Sequence, residues 1–168
     1  HLTDIDYQVE KETLLGLVVS MAQNLICTIS GPPGSGKSSL ITSLAKVLGL
    51  KANENFVRVQ VQRGWTTDRE LLGFKNKLSH SYEPDSFGVH RLITELQSSP
   101  DDKWMGLVML DEANLSPLEH YWASFMGSTD DPASFRCDPD VIGLPPRLRF
   151  LATINSDSTT EPLSPRFV

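Results

Sequence analysis

Eight consecutive residues, Gly31-Pro32-Pro33-Gly34-Ser35-Gly36-Lys37-Ser38, constrain this chain more than any other stretch. They satisfy the pattern G-x-x-x-x-G-K-[ST] in full. A β-rich run, Leu25 to Ile29, precedes them. A helical pattern from Lys37 to Leu48 follows, with Leu40, Ile41, Leu44, Val47 and Leu48 at helical spacing and Gly49 as its stop. A strand that turns through glycines into a helix wraps backbone N–H groups around an anion at the helix N-terminus. The expectation is that Lys37 reaches the β- and γ-phosphates of a bound nucleotide and that the Ser38 hydroxyl ligates Mg²⁺. Gly31 through Ser38, with the adjoining Ser39, are the candidate nucleotide-binding residues.

The rest of the chain alternates strand and helix patterns, which predicts a parallel sheet in an α/β domain. Val9 to Gln23 reads as an opening helix with Leu14, Leu15, Leu17, Val18 and Met21 on a broad apolar face. Phe56 to Val61 alternates as a second strand. Thr67-Asp68-Arg69-Glu70 has the form of a capping box opening a short helix through Leu72. Gly73 to Tyr82 is polar and helix-poor, an inserted loop or hairpin; Val89 to Gln97 is helical and Ser98 to Asp102 a turn. Met105 to Leu110 is apolar throughout, as in a strand buried on both faces. Ser116-Pro117-Leu118-Glu119 is a second capping box, with proline at the first helical position, before a helix carrying Leu118, Tyr121, Trp122, Phe125 and Met126. Ser128 to Pro146, rich in Asp, Pro and Gly, reads as a surface excursion, and Leu148 to Ile154 as a last strand ending at Asn155.

Three further positions carry chemistry. The strand before Asp111-Glu112 delivers an acidic pair to the sheet's C-terminal edge, where ligands bind in open α/β folds. Asp111 is the expected carboxylate partner of Ser38 on Mg²⁺ and contributes to the nucleotide site; Glu112 is the expected base that polarises an attacking water. Asn155, after a third core strand, is placed to orient water or γ-phosphate beside it. For Asp157 a turn explains the residue equally well. Arg166 is the candidate arginine finger for a neighbouring subunit's nucleotide, with Arg147 and Arg149 as alternatives facing a subunit interface. Trp65 is expected as a buried loop aromatic, and His80, His90 and His120 show no metal spacing.

Composition narrows the class. Hydrophobic residues at 39% and charged ones at 21% describe a globular domain, and the net charge of −6 excludes a wholly basic nucleic-acid-binding domain. No apolar run is long enough to span a bilayer, so no membrane partner is expected. Cys27 and Cys137 belong to no Cys-x-x-Cys or Cys/His cluster, which points to a reducing, cytoplasmic setting. Because the chain begins at His1 rather than methionine, we expect a piece of a longer protein.

The order Gly-Pro-Pro-Gly-Ser-Gly-Lys-Ser, Leu-Asp-Glu-Ala-Asn-Leu-Ser-Pro, Ala-Thr-Ile-Asn and Leu-Ser-Pro-Arg resembles the AAA+ superfamily of P-loop NTPases over nearly the whole chain. With Gly64-Trp65-Thr66-Thr67-Asp68-Arg69-Glu70-Leu71-Leu72-Gly73, it is similar to the branch holding McrB restriction GTPases, MoxR-type remodelling ATPases and dynein-related domains, and most of all to McrB-like proteins. The resemblance implies a three-layer αβα sandwich around a five-stranded parallel sheet. Residues 1–168 would then form the large nucleotide-binding subdomain, without the helical lid, of a subunit that assembles into a hexameric ring. It makes Lys37 and Ser38 the Walker A pair, Asp111 and Glu112 the Walker B pair, and Asn155 sensor 1. Where GTP-using McrB proteins carry Met-Asn-Thr-Ala-Asp, this chain has Ile154-Asn155-Ser156-Asp157-Ser158, which leaves ATP and GTP both open.

The expected function is Mg²⁺-dependent NTP hydrolysis by a ring motor acting on DNA, as a McrB-like translocase. Protein remodelling of the MoxR type is the alternative within that class. A scaffold that binds nucleotide without hydrolysis is the alternative outside it, and Glu112 speaks against it. A small-molecule kinase shares the phosphate loop but normally lacks the acidic pair and the strand-end Asn.

Overall fold

A computed structural model of the chain describes residues 11–98, 105–126, 136–137, 140–141 and 143–156. The elements run α1 (Lys11–Gln23), β1 (Ile26–Gly31), α2 (Lys37–Val47), β2 (Phe56–Gln60), α3 (Arg69–Leu72), β3 (Phe74–Lys75), β4 (Tyr82–Glu83) and α4 (Val89–Ser98). They continue through β5 (Gly106–Asp111), a 3-10 turn at Ala113–Leu115, α5 (Leu118–Tyr121), α6 (Ala123–Met126), β6 (Arg136–Cys137), β7 (Asp140–Val141) and β8 (Leu148–Asn155).

Four of the five expected strands lie among the described residues, all parallel, in the order β1-β8-β5-β2. The last strand in sequence thus inserts between the first and the third. β5 is buried along its whole length, which explains its unbroken apolar run. Side chains alternate across the sheet, so each face is one parity. One face, with Val57, Val59, Val108, Leu110, Phe150 and Ala152, packs under α3 to α6 around Leu92, Ile93, Tyr121, Trp122 and Phe125. The other, with Phe56, Leu107, Met109 and Leu151, packs under Met21 of α1 and Ile41, Leu44 and Ala45 of α2. These are the three layers expected of the α/β class.

Gly73 to Tyr82 forms the core of an antiparallel hairpin, with Phe74 opposite Glu83. A second small ribbon pairs Arg136 with Val141 inside the Ser128–Pro146 excursion.

Four local expectations need correction. The apolar stripe of α1 is narrower than its sequence suggests: Leu14 and Met21 are buried, whereas Leu15 and Val18 are 48% and 40% exposed. Ser116 does not cap α5, because its hydroxyl donates to Gln62 O (2.7 Å) and accepts from Trp65 N (3.0 Å), tying the segment after β2 to the segment after β5. The helix beyond it breaks at Trp122 into α5 and α6, though its apolar residues pack in the core as expected. The Thr67 box forms differently as well: Asp68 is the N-cap, while Thr67 Oγ1 donates to the Glu70 carboxylate (2.8 Å).

Candidate functional site

The phosphate loop leaves the C-terminal end of β1 and enters α2 through two glycines, Gly34 (φ 76°) and Gly36 (φ 83°), in the left-handed region that L-residues disfavour. Pro32, Pro33 and Ser35 are exposed on its rim. Lys37 is the buried exception: its Nζ donates to Gly31 O (2.9 Å) and Pro32 O (2.8 Å) and lies 3.5 Å from Ser35 Oγ. A buried ammonium needs such acceptors, and here the loop's own carbonyls hold the side chain folded over the cradle.

Beneath the loop, Ser38 Oγ donates to Asp111 Oδ1 at 2.7 Å. Two hydrogen bonds that are not visible in the motifs complete the setting of this carboxylate. Thr153 Oγ1 donates to the same oxygen (2.8 Å), and Arg58 Nη2 bonds Oδ2. Asp111 is only 4% exposed. Burial alone would push its carboxyl up, but the hydrogen bonds from Ser38, Arg58 and Thr153, with the Arg58 charge, outweigh it and hold the group below the usual carboxylate value. The Asp111 carboxylate is thereby kept ionised and oriented toward Ser38.

Glu112 follows in a left-handed backbone conformation (φ 55°, ψ 48°) that is uncommon for a non-glycine residue. Its N–H is anchored on Thr153 Oγ1 (2.9 Å). Its carboxylate takes Gln60 Nε2 on one oxygen (3.2 Å) and Asn155 Nδ2 on the other (3.4 Å). Asn155 is held in turn by Asn114, whose side-chain amide donates to Asn155 O (2.9 Å) and accepts from Asn155 N (3.3 Å). The buried Asn114 amide therefore extends the pairing of β8 beyond the end of β5.

Pro33, Gly34, Gly36, Lys37, Ser38, Ser39, Asp111, Glu112 and Asn155, all singled out in the sequence, thus line one cavity of about 450 Å³, joined by Arg58, Gln60 and Thr153, which were not. That volume falls in the range of small-molecule sites, about 300–1,000 Å³. Arg166 and Asp157 lie outside the described residues. Arg149 is half-buried, with Nε on Met21 O (2.5 Å) and Nη1 on Pro146 O and Leu148 O (2.7 and 2.8 Å). Trp65 is buried edge-on against Tyr121, and His90 stacks on Tyr82. Among the described residues there is no group of three or more His, Cys, Asp and Glu side chains that could hold a metal, and no helix is long and apolar enough to cross a membrane.

A parallel α/β sheet with a glycine loop and an acidic pair on the ends of the two strands that flank β8 defines a P-loop domain. The Rad17 P-loop domain model matches residues 6–92, more than half of the chain, and the chain belongs to that family. Its fold is similar to the crystal structure of a "putative ATPase" from Cytophaga hutchinsonii, with a TM-score of 0.54 at 18% identity over 92% of this chain and 42% of that one. C. elegans PCH-2 aligns with a TM-score of 0.49 at 20% identity, over 92% of this chain and 40% of its own. The chain spans less than half the length of either protein. A comparison with curated proteins finds no sequence match.

Proposed function

We propose that the cavity binds an NTP with Mg²⁺ and hydrolyses it, within a longer subunit that works in an AAA+ ring. The observation that carries this reading is the Ser38 Oγ–Asp111 Oδ1 pair at 2.7 Å under the phosphate loop. It brings together a hydroxyl and an ionised carboxylate, the hard oxygen donors that suit Mg²⁺. Charge points the same way. Lys37 and Arg58 balance Asp111 and Glu112 within the cavity, so the extra negative charge of a triphosphate calls for a divalent cation.

Ser38 and Asp111 would hold that ion. When bound, Mg²⁺ neutralises charge on the β- and γ-phosphate oxygens. The glycine loop and the first turn of α2 bind the phosphates through backbone N–H groups, and Lys37 supplies a positive charge beside them. Glu112 accepts a proton from the attacking water, and Asn155 orients the Glu112 carboxylate.

For the finer assignment we favour a cytoplasmic McrB-like translocase acting on DNA as a hexamer, with Arg166 supplied to the neighbouring site and either ATP or GTP as fuel. Its support is the Gly64–Gly73 segment together with Asn114-Leu115-Ser116, which the Ser116 hydrogen bonds knit into one unit. The test is steady-state hydrolysis of ATP and GTP by the full-length protein with and without DNA. DNA stimulation supports the translocase, and a flat response favours protein remodelling. Glu112→Gln is expected to bind nucleotide but hydrolyse about 100-fold more slowly or worse. Equal turnover removes the role assigned to Glu112, and loss of binding in neither Lys37→Ala nor Ser38→Ala removes the site.

A further inference from the structure

Arg58 has no part in the mechanism above, yet it bonds the carboxylate on which that mechanism depends. It lies on β2, at the edge of the described sheet, opposite Met109; the next same-face pair along the register is Gln60 with Asp111. From there its side chain runs along the strand to Asp111 Oδ2. The two partners differ in freedom, since the Arg58 side chain is 55% exposed and that of Asp111 6%.

Resting on the nucleotide-binding reading, we propose that Arg58 is a built-in counter-cation that occupies Asp111 in the metal-free protein. It must release the carboxylate for a divalent ion to enter, so metal loading frees a guanidinium into the phosphate cavity.

The two oxygens of Asp111 are dressed differently. On Oδ1, Ser38 donates its proton and keeps its lone pairs, so that contact is compatible with Ser38 ligating a metal. On Oδ2 sits a guanidinium, which has five donors and no acceptor, cannot ligate a cation and repels one. Arg58 and a divalent ion therefore exclude each other at that oxygen. A buried carboxylate without a counter-charge is strongly destabilising, so something must stand there when the metal is absent. Arg58 is long enough, always charged and loosely enough packed to fill the place and leave it. Once released beside Lys37, it adds a second positive charge to the wall of the same cavity.

The test titrates Mg²⁺ into the protein with a fixed concentration of fluorescent ATP or GTP, for wild type and Arg58→Gln, and records melting temperatures in EDTA. With the competitor gone, the Mg²⁺ midpoint is expected to fall about fivefold or more, while the metal-free melting temperature drops. A midpoint that is unchanged or raised overturns the proposal. So does a loss of nucleotide affinity in EDTA as large as that in Mg²⁺, which would make Arg58 a plain phosphate ligand. If Arg58→Gln does not fold, ¹⁵N side-chain NMR of wild type, assigned with Arg58→Lys, gives the answer. The Arg58 resonance should shift and sharpen when Mg²⁺ and nucleotide are added, and a resonance that stays put refutes the exchange. Wild type that binds no nucleotide at saturating Mg²⁺ refutes the proposed function instead.

Discussion

Thr153→Val isolates the hydroxyl that joins the two acidic residues of the site. Thr153 is 1% exposed and valine matches its shape, so the change removes polarity and leaves packing intact. Two interactions disappear: donation to Asp111 Oδ1 and acceptance from Glu112 N. A hydrogen bond to a charged group contributes about 1.5–3 kcal/mol, and an unsatisfied buried N–H costs about 1–3 kcal/mol. Glu112 is only half-buried, so water offsets part of the second loss, and the expected sum is about 2–4 kcal/mol. For a domain of this size that lowers Tm by about 5–15 °C. The pH dependence identifies the cause. The native Asp111 value lies below its ordinary 3.8, so the group stabilises the fold at any pH well above 3.8 and loses that effect as pH falls through the native value. In Thr153→Val the native value moves back toward 3.8, so the deficit is full at neutral pH and shrinks as pH drops below 3.8. Thermal denaturation followed by circular dichroism across that range measures it. A Tm within about 2 °C of wild type at neutral pH, or a deficit independent of pH, would refute the reasoning.

Two further substitutions probe the β3–β4 hairpin and the start of α4. Gly73→Ala places a Cβ 2.4 Å from Glu83 O and 2.8 Å from Asp85 N at a backbone φ of +78°, and urea denaturation should show a loss of about 2–4 kcal/mol. Asp85→Ala removes the carboxylate that accepts from the N–H groups of Phe87, Gly88, Val89 and His90 at 2.6–3.0 Å. It should cost about 1–2 kcal/mol in the same assay, with hydrogen exchange rising first in the opening turn of α4.

What could be read in advance follows from how local each signal is. Gly31 to Ser38 encodes its own backbone path, and the apolar run before Asp111 announces a buried strand, so both were legible without any knowledge of neighbours. Arg58, Gln60, Thr153 and Asn114 were not, because each acts across strands. Gln60 meets Glu112 and Thr153 meets Asp111 through the order β1-β8-β5-β2, which no local pattern states. Alternation in Phe56–Val61 marked Arg58 and Gln60 as a shared face, but not what that face opposes. The α1 and Ser116 misreadings have the same origin. The helical spacing of Leu15 and Val18 and the capping pattern at Ser116 are local statements, overruled by where the sheet and the segment after β2 lie.

Parity explains why the polar residues converge at all. On the face under α2, the row Phe56, Leu107, Met109 and Leu151 is apolar, and the same parity continued toward the strand C-termini becomes Arg58, Gln60, Asp111, Thr153 and Asn155. Where helix α2 covers the row it supplies the core; where the phosphate loop takes over, the row changes to groups that carry charge and hydrogen bonds. Because alternation has a period of two, sliding β8 by one residue against β5 would turn Thr153 and Asn155 toward the α4 side and bring Ile154 into the cavity. The same slip would move Phe150 and Ala152 out of the larger core cluster. Register is therefore set by apolar burial at the base of the strands, and the geometry of the cavity at their tips inherits it. Core substitutions at Phe150 or Val108 should on this account damage Mg²⁺-dependent nucleotide binding even though they stand on the opposite face from Asp111.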